Sequence, residues 1–279
     1  MPPVRRTLAL PQLRLSYLEW NPGGVPLLLL HGLADCAAVW CCLGEALGDR
    51  YHVVAPDLRG HGDSDKPARG YGFAELMGDL EALFDALGWS AADALGHSWT
   101  GKLLPLWAQR SPHRLRRLVL VDPFYIGRLP GWLRLTFPLL YRTLPFLQGL
   151  GPYASYERAQ QQARRMKQYR GWSCWQQQAF RASLERGTDG WWRRKFALAA
   201  RDEAFAEVLQ VAGLRAPLPH PTLLLIPERG LNRMVWQLAP LRRHADKLQV
   251  RSVPGNHWAF LVAPAAFEQA VRSFLEGGR

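Results

Sequence analysis

The stretch Ala94-Leu95-Gly96-His97-Ser98-Trp99-Thr100-Gly101 sets one serine among small residues where a short apolar run gives way to a helical pattern. A sharp strand-to-helix turn strains the backbone of such a serine and lifts its hydroxyl clear of the sheet, free to attack an electrophilic carbon. That hydroxyl is a weak nucleophile at neutral pH and needs a base within hydrogen-bonding reach. Two histidine turns flank the pattern at a distance, His31-Gly32-Leu33 upstream and Pro254-Gly255-Asn256-His257 near the C-terminus. Thr100 stands where such a turn usually carries glycine, so the serine pattern gains its force from the other two. A second chemistry is excluded at the same place. Gly96 to Lys102 nearly spells a phosphate-binding loop, but Leu103 replaces the Ser or Thr that would hold magnesium.

The elements needed to hold these turns are visible in the alternation of apolar runs with helical periodicity, which signals a mostly parallel sheet. Thr7–Leu10 and Leu13–Glu19 read as an opening antiparallel pair. Pro26–Leu30, Tyr51–Ala55, Ala92–Leu95, Leu118–Val121, Thr222–Ile226 and Lys247–Val253 read as further strands. Leu118–Val121 and Thr222–Ile226 are continuous apolar runs, as fits strands covered on both faces. Helical patterns fill 37–48, 73–87 and 99–110, and Pro264–Glu276 closes the chain. Between residues 123 and 215 the strand pattern disappears, and Trp, Tyr, Arg and Gln dominate helical stretches.

With 279 residues, 48% apolar, the chain can bury one large core and still carry an accessory region. Its first residues show no leader-like apolar run, and Leu129–Leu150 is broken by Pro130, Pro138 and Pro145, which argues against a membrane span. The expected location is cytoplasmic. Cys36, Cys41, Cys42 and Cys174 lack disulfide or metal spacing and read as free thiols. The net charge of +12 rests mainly on arginine, as an Arg-rich composition would give. It is also concentrated: ten basic residues face three acidic ones between Tyr153 and Phe196. That excess suits an anionic membrane surface or an acidic substrate. No nucleic-acid motif accompanies it.

Taken together, His31-Gly32-Leu33, Asp57-Leu58-Arg59-Gly60-His61-Gly62-Asp63-Ser64-Asp65, the Ser98 turn and Pro254–His257 resemble the α/β-hydrolase superfamily, and the resemblance covers nearly the whole chain. It implies an α/β-hydrolase fold, a mostly parallel eight-stranded sheet flanked by helices. Residues 1–122 and 215–279 would form the core and 123–214 an inserted helical cap. It implies Ser98 as nucleophile and His257 as base, with the backbone amides of Leu33 and Trp99 as the oxyanion hole. His31 would fix the oxyanion loop, and His97 and His61 would pack or orient. No metal or organic cofactor is required.

The third member of the triad departs from the family. The usual acid follows the strand before the last, yet here that stretch reads Pro227-Glu228-Arg229-Gly230-Leu231-Asn232, with glycine at the expected position. Asp122, at the end of the strand following the nucleophile's helix, is the first substitute; its alternative reading is an Asp-Pro turn opening the cap. Glu228 is the second substitute, and Asn232 could orient the histidine as a neutral partner. The expected activity is cleavage of a carboxylic ester or related acyl bond of a lipophilic small molecule through an acyl-enzyme. Carbon–carbon hydrolysis and cofactor-free perhydrolysis use the same residues. The missing acid also leaves open a non-catalytic ligand-binding protein. Serine at position 98 argues against epoxide hydrolases and haloalkane dehalogenases, which attack with aspartate.

Overall fold

The structure, a computed structural model, describes residues 2–124, 128–137, 139 and 150–277. Eight strands form the main sheet: β1 (Val4–Ala9), β2 (Arg14–Trp20), β3 (Val25–Leu30), β4 (Tyr51–Pro56), β5 (Ala92–His97), β6 (Leu115–Val121), β9 (Thr222–Arg229) and β10 (Leu248–Asn256). Their spatial order is β1-β2-β4-β3-β5-β6-β9-β10. β1 and β2 pair antiparallel and β2 meets β4 antiparallel, while every other pairing is parallel.

The run Leu27–Leu30 shows why the strands read as unbroken apolar stretches. Leu27 and Leu29 pack with Trp40, Val53, Phe260 and Phe274 on one face, and Leu28 and Leu30 pack with Val54, Phe84, Leu104 and Trp107 on the other. Alternate side chains of a strand point to opposite faces, so a sheet covered on both must be apolar throughout. The first face is covered by α1 (Cys41–Leu47), α8 (Ala259–Val262) and α9 (Pro264–Glu276); the second by α2 (Phe73–Ala86), α3 (Trp99–Arg110) and α7 (Ala239–His244). In α9, Phe267, Val271, Phe274 and Leu275 are buried at helical spacing, each worth about 1.5–3 kcal/mol of burial.

Between β6 and β9 lie α4 (Tyr156–Ala163), α5 (Cys174–Ala182) and α6 (Leu198–Gln210). α5 begins with a capping box in which Ser173 and Gln176 exchange side-chain and backbone hydrogen bonds. α4 and α5 share a small core of Ala159, Ala163, Met166, Tyr169, Phe180 and Leu184, while α6 packs Ala204 and Val208 onto the second face of the sheet. Strands do occur here, against the sequence reading: β7 (Leu184–Arg186) and β8 (Trp192–Arg194) form an antiparallel ribbon. The turn Gly187–Gly190, with Gly190 at φ +82°, permits the reversal, and the Arg-rich composition hid the strands. Part of the apolar stretch Leu129–Leu150 lies outside the described residues. Among those described, no helix is long and apolar enough to cross a membrane.

Candidate active site

Ser98 sits between β5 and α3 with φ 60° and ψ −118°, a conformation costing a non-glycine residue roughly 1–3 kcal/mol. Several contacts hold it there. Its N–H donates to Val121 O at 2.9 Å, and its carbonyl accepts from Gly101 N at 3.0 Å and Phe124 N at 3.1 Å. Gly96 is required by space, since a Cβ there would lie 2.7 Å from Thr100 O. Thr100, the unusual residue of the turn, is fully buried. Its Oγ1 lies 2.9 Å from His97 O and 3.2 Å from the carbonyls of Leu30 and His31. The extra hydroxyl therefore ties the serine turn to the end of β3.

The structure brings Asp122 and His257 together. His257 Nδ1 donates to Asp122 Oδ2 at 2.7 Å, which leaves Nε2 as the ring's proton acceptor. Asp122 directly follows β6 at φ 39°, one residue beyond the pairing of Val121 with His97 that leads into the serine turn. Burial works to raise its pKa, but the hydrogen bond and charge of His257 and the donors Leu231 N–H and Asn232 outweigh it and hold the carboxyl below its ordinary value. Leu231 N lies 2.8 Å from Oδ2, and Asn232 Nδ2 lies 2.7 Å from Oδ1. Asn232 thus orients the carboxylate rather than the histidine. Glu228, by contrast, is exposed and is absent from the wall of the cavity. Gly230 makes room for this arrangement: a Cβ there would stand 2.6 Å from Asp122 Oδ2.

A cavity of about 320 Å³ opens over these residues, lined by Ser98, His257, Leu33 and Trp99 among others. Its apolar wall comes from Phe124, Phe205, Val208, Ala204, Leu231 and Trp258. The two residues whose amides were expected to bind an oxyanion therefore share one cavity with the serine and the histidine. The Leu33 loop is held by His31, whose Nδ1–H donates to Gly32 O at 2.7 Å while its Nε2 accepts from Leu58 N at 3.0 Å. Burial lowers the pKa of His31 and keeps the ring neutral for both roles. His97 is also buried, and its Nε2–H donates to His257 O at 2.9 Å. Burial, and next the charge of His257, push its pKa well down. It fixes the backbone that carries the base.

His61 packs against His31 and Trp99, as a structural turn residue would. Asp57 binds that turn by accepting from Ala37 N at 2.7 Å, Asp63 N at 3.0 Å and Arg5 at 2.8 Å. Two buried cations escaped the sequence reading. Arg194 donates to Tyr169 Oη at 3.0 Å and Ala34 O at 3.2 Å, joining β8 to the loop beside the cavity. Lys102 turns its ammonium away from the serine turn to Val208 O, 2.5 Å away near the end of α6. Arg194 lies in the basic stretch between Tyr153 and Phe196, and Lys102 in the apolar helix that follows the serine turn. The four cysteines are free, and burial pushes the Cys36 and Cys41 thiols up to about 12.

A strained serine after a central strand, with a carboxylate at the end of β6 hydrogen-bonded to a histidine after β10, defines a known class of protein. The chain belongs to the alpha/beta hydrolase fold family, whose sequence model matches residues 25–264. It is similar to a soluble epoxide hydrolase of Corynebacterium sp. (strain C12), 33% identical over 128 residues, or 45% of this chain and 43% of that protein. It is also similar to epoxide hydrolase 4 of Mus musculus, 35% identical over 113 residues, or 39% of this chain and 32% of that protein. The matches thus span less than half the length of these relatives. Among solved structures, E-2-(acetamidomethylene)succinate hydrolase superposes with a TM-score of 0.81 at 22% identity, covering 98% of this chain and 99% of that one. The thioesterase domain from the curacin biosynthetic pathway gives 0.77 at 19% identity, with 98% and 100% coverage. At such identities the likeness shows the fold.

Proposed function

We propose that the protein is a serine hydrolase cleaving a carboxylic ester or related acyl bond. Ser98 Oγ attacks the carbonyl carbon while His257 Nε2 takes its proton. The amides of Leu33 and Trp99 receive the developing oxyanion, worth roughly 3–4 kcal/mol per donor. Asp122 holds the histidine tautomer and stabilises the imidazolium. The leaving group takes the proton from His257, and water attacks the acyl-enzyme by the same route in reverse. The observation that carries this reading is the 2.7 Å hydrogen bond from His257 to buried Asp122 beside a serine lining the same cavity.

The epoxide hydrolase relatives would suggest attack by aspartate, and a serine at the turn favours acyl chemistry over it. The non-catalytic reading rested on the glycine at the usual acid position and on Thr100 at the serine turn; the hydrogen bond from His257 to Asp122 supports the catalytic reading over it. The apolar cavity wall supports a lipophilic acyl portion. The deciding experiment is intact-mass labelling with a fluorophosphonate on wild type, Ser98→Ala and His257→Ala. One adduct on wild type, lost in both variants, supports an activated serine. No adduct with either that probe or a small uncharged acylating agent on folded protein overturns the reading.

A peripheral contact with anionic membrane is a second proposal, favoured by exposed apolar residues near the cavity. Met234, Val235 and Trp236 stand exposed in succession, as do Trp132, Leu135 and Leu139. The basic excess contributes less than its count suggests, because Arg194 is buried, Lys195 pairs with Asp63 and Arg193 with Asp189. Sedimentation with vesicles should show binding that rises with anionic lipid content; equal recovery with neutral vesicles would overturn it.

A further inference from the structure

The charged residues of the cavity wall are all of one sign. Lys167, Arg229 and Arg233 line it, and among its described lining residues none is Asp or Glu. All three are exposed residues, which places them at the opening rather than on the floor. Most cations near the core of this chain have a carboxylate partner: Arg5 has Asp57, Arg59 has Asp79, Arg114 has Glu81 and Lys195 has Asp63. Among the described residues the three at the opening have none. Glu228 precedes Arg229 in β9, and alternation along the strand sends the two side chains to opposite faces.

These cations are carried by the segments that build the site. Arg229 ends β9, and Arg233 follows the loop that embraces Asp122, its Nε donating to Gly230 O at 3.2 Å. Lys167 is held through its carbonyl, which accepts from Asn256 Nδ2 at 2.9 Å, one residue before His257. A cleft lined by one sign of charge concentrates ligands of the other sign, and guanidinium groups match carboxylate and phosphate oxygens.

We propose that the cavity takes an anionic acyl substrate, one bearing a carboxylate or phosphate remote from the scissile carbonyl, which Arg229, Arg233 and Lys167 hold at the opening. This rests on the serine hydrolase reading and adds the substrate's charge to it. The apolar wall receives the chain between the two ends. The three cations are binding and specificity residues and take no part in the bond-breaking step.

The test compares four 4-nitrophenyl esters of one alkanoyl chain, ending in methyl, methyl ester, carboxylate or phosphate. At low ionic strength, kcat/KM should be about tenfold or more higher for an anionic terminus than for the methyl ester, mainly through KM, and the gap should narrow with salt. Preference for carboxylate alone or for phosphate alone would identify which group the opening accepts. In Arg229→Gln/Arg233→Gln the ratio of anionic to neutral kcat/KM should fall towards one. A wild-type ratio of one or less, or a ratio that this double variant leaves unchanged, would overturn the proposal. Calorimetry on Ser98→Ala with the matching dicarboxylate separates the two readings. Binding that the arginine substitutions abolish would support the anion site even if no ester were hydrolysed, and no binding at low salt would refute it.

Discussion

Gly230 and Asp122 compete for one volume: a Cβ on Gly230 would lie 2.6 Å from Asp122 Oδ2 and 2.9 Å from its Oδ1 and Cγ. The glycine that looks like a lost acid is the space into which the carboxylate from β6 fits. Any side chain at 230 must push Asp122, which is fixed by Leu231 N–H, Asn232 and His257. Gly230→Ala should therefore lower kcat/KM on the order of 10²-fold, the scale of a misplacement near 1 Å, while circular dichroism remains native. Gly230→Asp should do worse alone than combined with Asp122→Ala, where the clash is gone. If Gly230→Asp alone raised turnover, the family's usual acid position would still be the working one here.

Asp122→Asn keeps the shape but removes the charge and permits the wrong histidine tautomer. A loss of about four orders of magnitude in kcat is expected, by analogy with serine protease triads. Glu228→Gln, at an exposed position away from the cavity, should stay within about twofold of wild type. Kinetics on one activated ester decides between them, and the reverse pattern would transfer the acid's role to Glu228.

Much of the fold was legible because its signals are local. Leu27–Leu30 announces a doubly covered strand by composition, and Pro264–Glu276 a helix by spacing and its first-turn proline. Ser98 and His257 stand in short turns whose residues carry their own conformational requirements. Asp122 was harder, since an Asp-Pro turn has the same local sequence whatever the carboxylate touches. Its contact with His257 spans 135 positions and depends on Gly230 being empty. Arg194 and Lys102 were hidden for a related reason: Arg194 stands in a basic stretch that reads as solvated, and Lys102 is a single cation in an apolar helix, and neither stretch names the carbonyls and phenol that receive them in the fold. The β7–β8 ribbon lay behind charged and tryptophan residues that do not alternate by polarity.

Thr100 tests whether the unusual residue of the serine turn is a decayed glycine or a brace. Its hydroxyl is the group that reaches the carbonyls at the ends of β3 and β5. Thr100→Val keeps the volume and leaves buried carbonyls without that donor, which should cost about 1–3 kcal/mol in urea unfolding. Thr100→Gly restores the usual residue, yet should also destabilise, because it removes the same bond and adds backbone freedom within α3. A Thr100→Gly protein as stable as wild type would show the hydroxyl to be dispensable.

Lys102 gives the chain a pH dependence of defined sign. Burial drives its ammonium down to about 8 from 10.5, with the charge of Glu207 opposing the shift, while the amine faces Val208 O. In the unfolded chain the group titrates near its ordinary value of about 10.4. Between those two values the unfolded state holds more protons than the folded one, so this group makes stability rise with pH; below about 8 the cost of burying the charge is present in full. Lys102→Met retains the apolar stem and removes the titration. Subtracting its unfolding free energy from that of wild type isolates the lysine from the buried thiols and tyrosines that titrate at higher pH. The difference should move in favour of wild type by about 1 kcal/mol per pH unit above pH 8 and be flat from pH 6 to 7. Parallel profiles for the two proteins across pH 8 to 9 would mean that Lys102 titrates as an ordinary solvated amine.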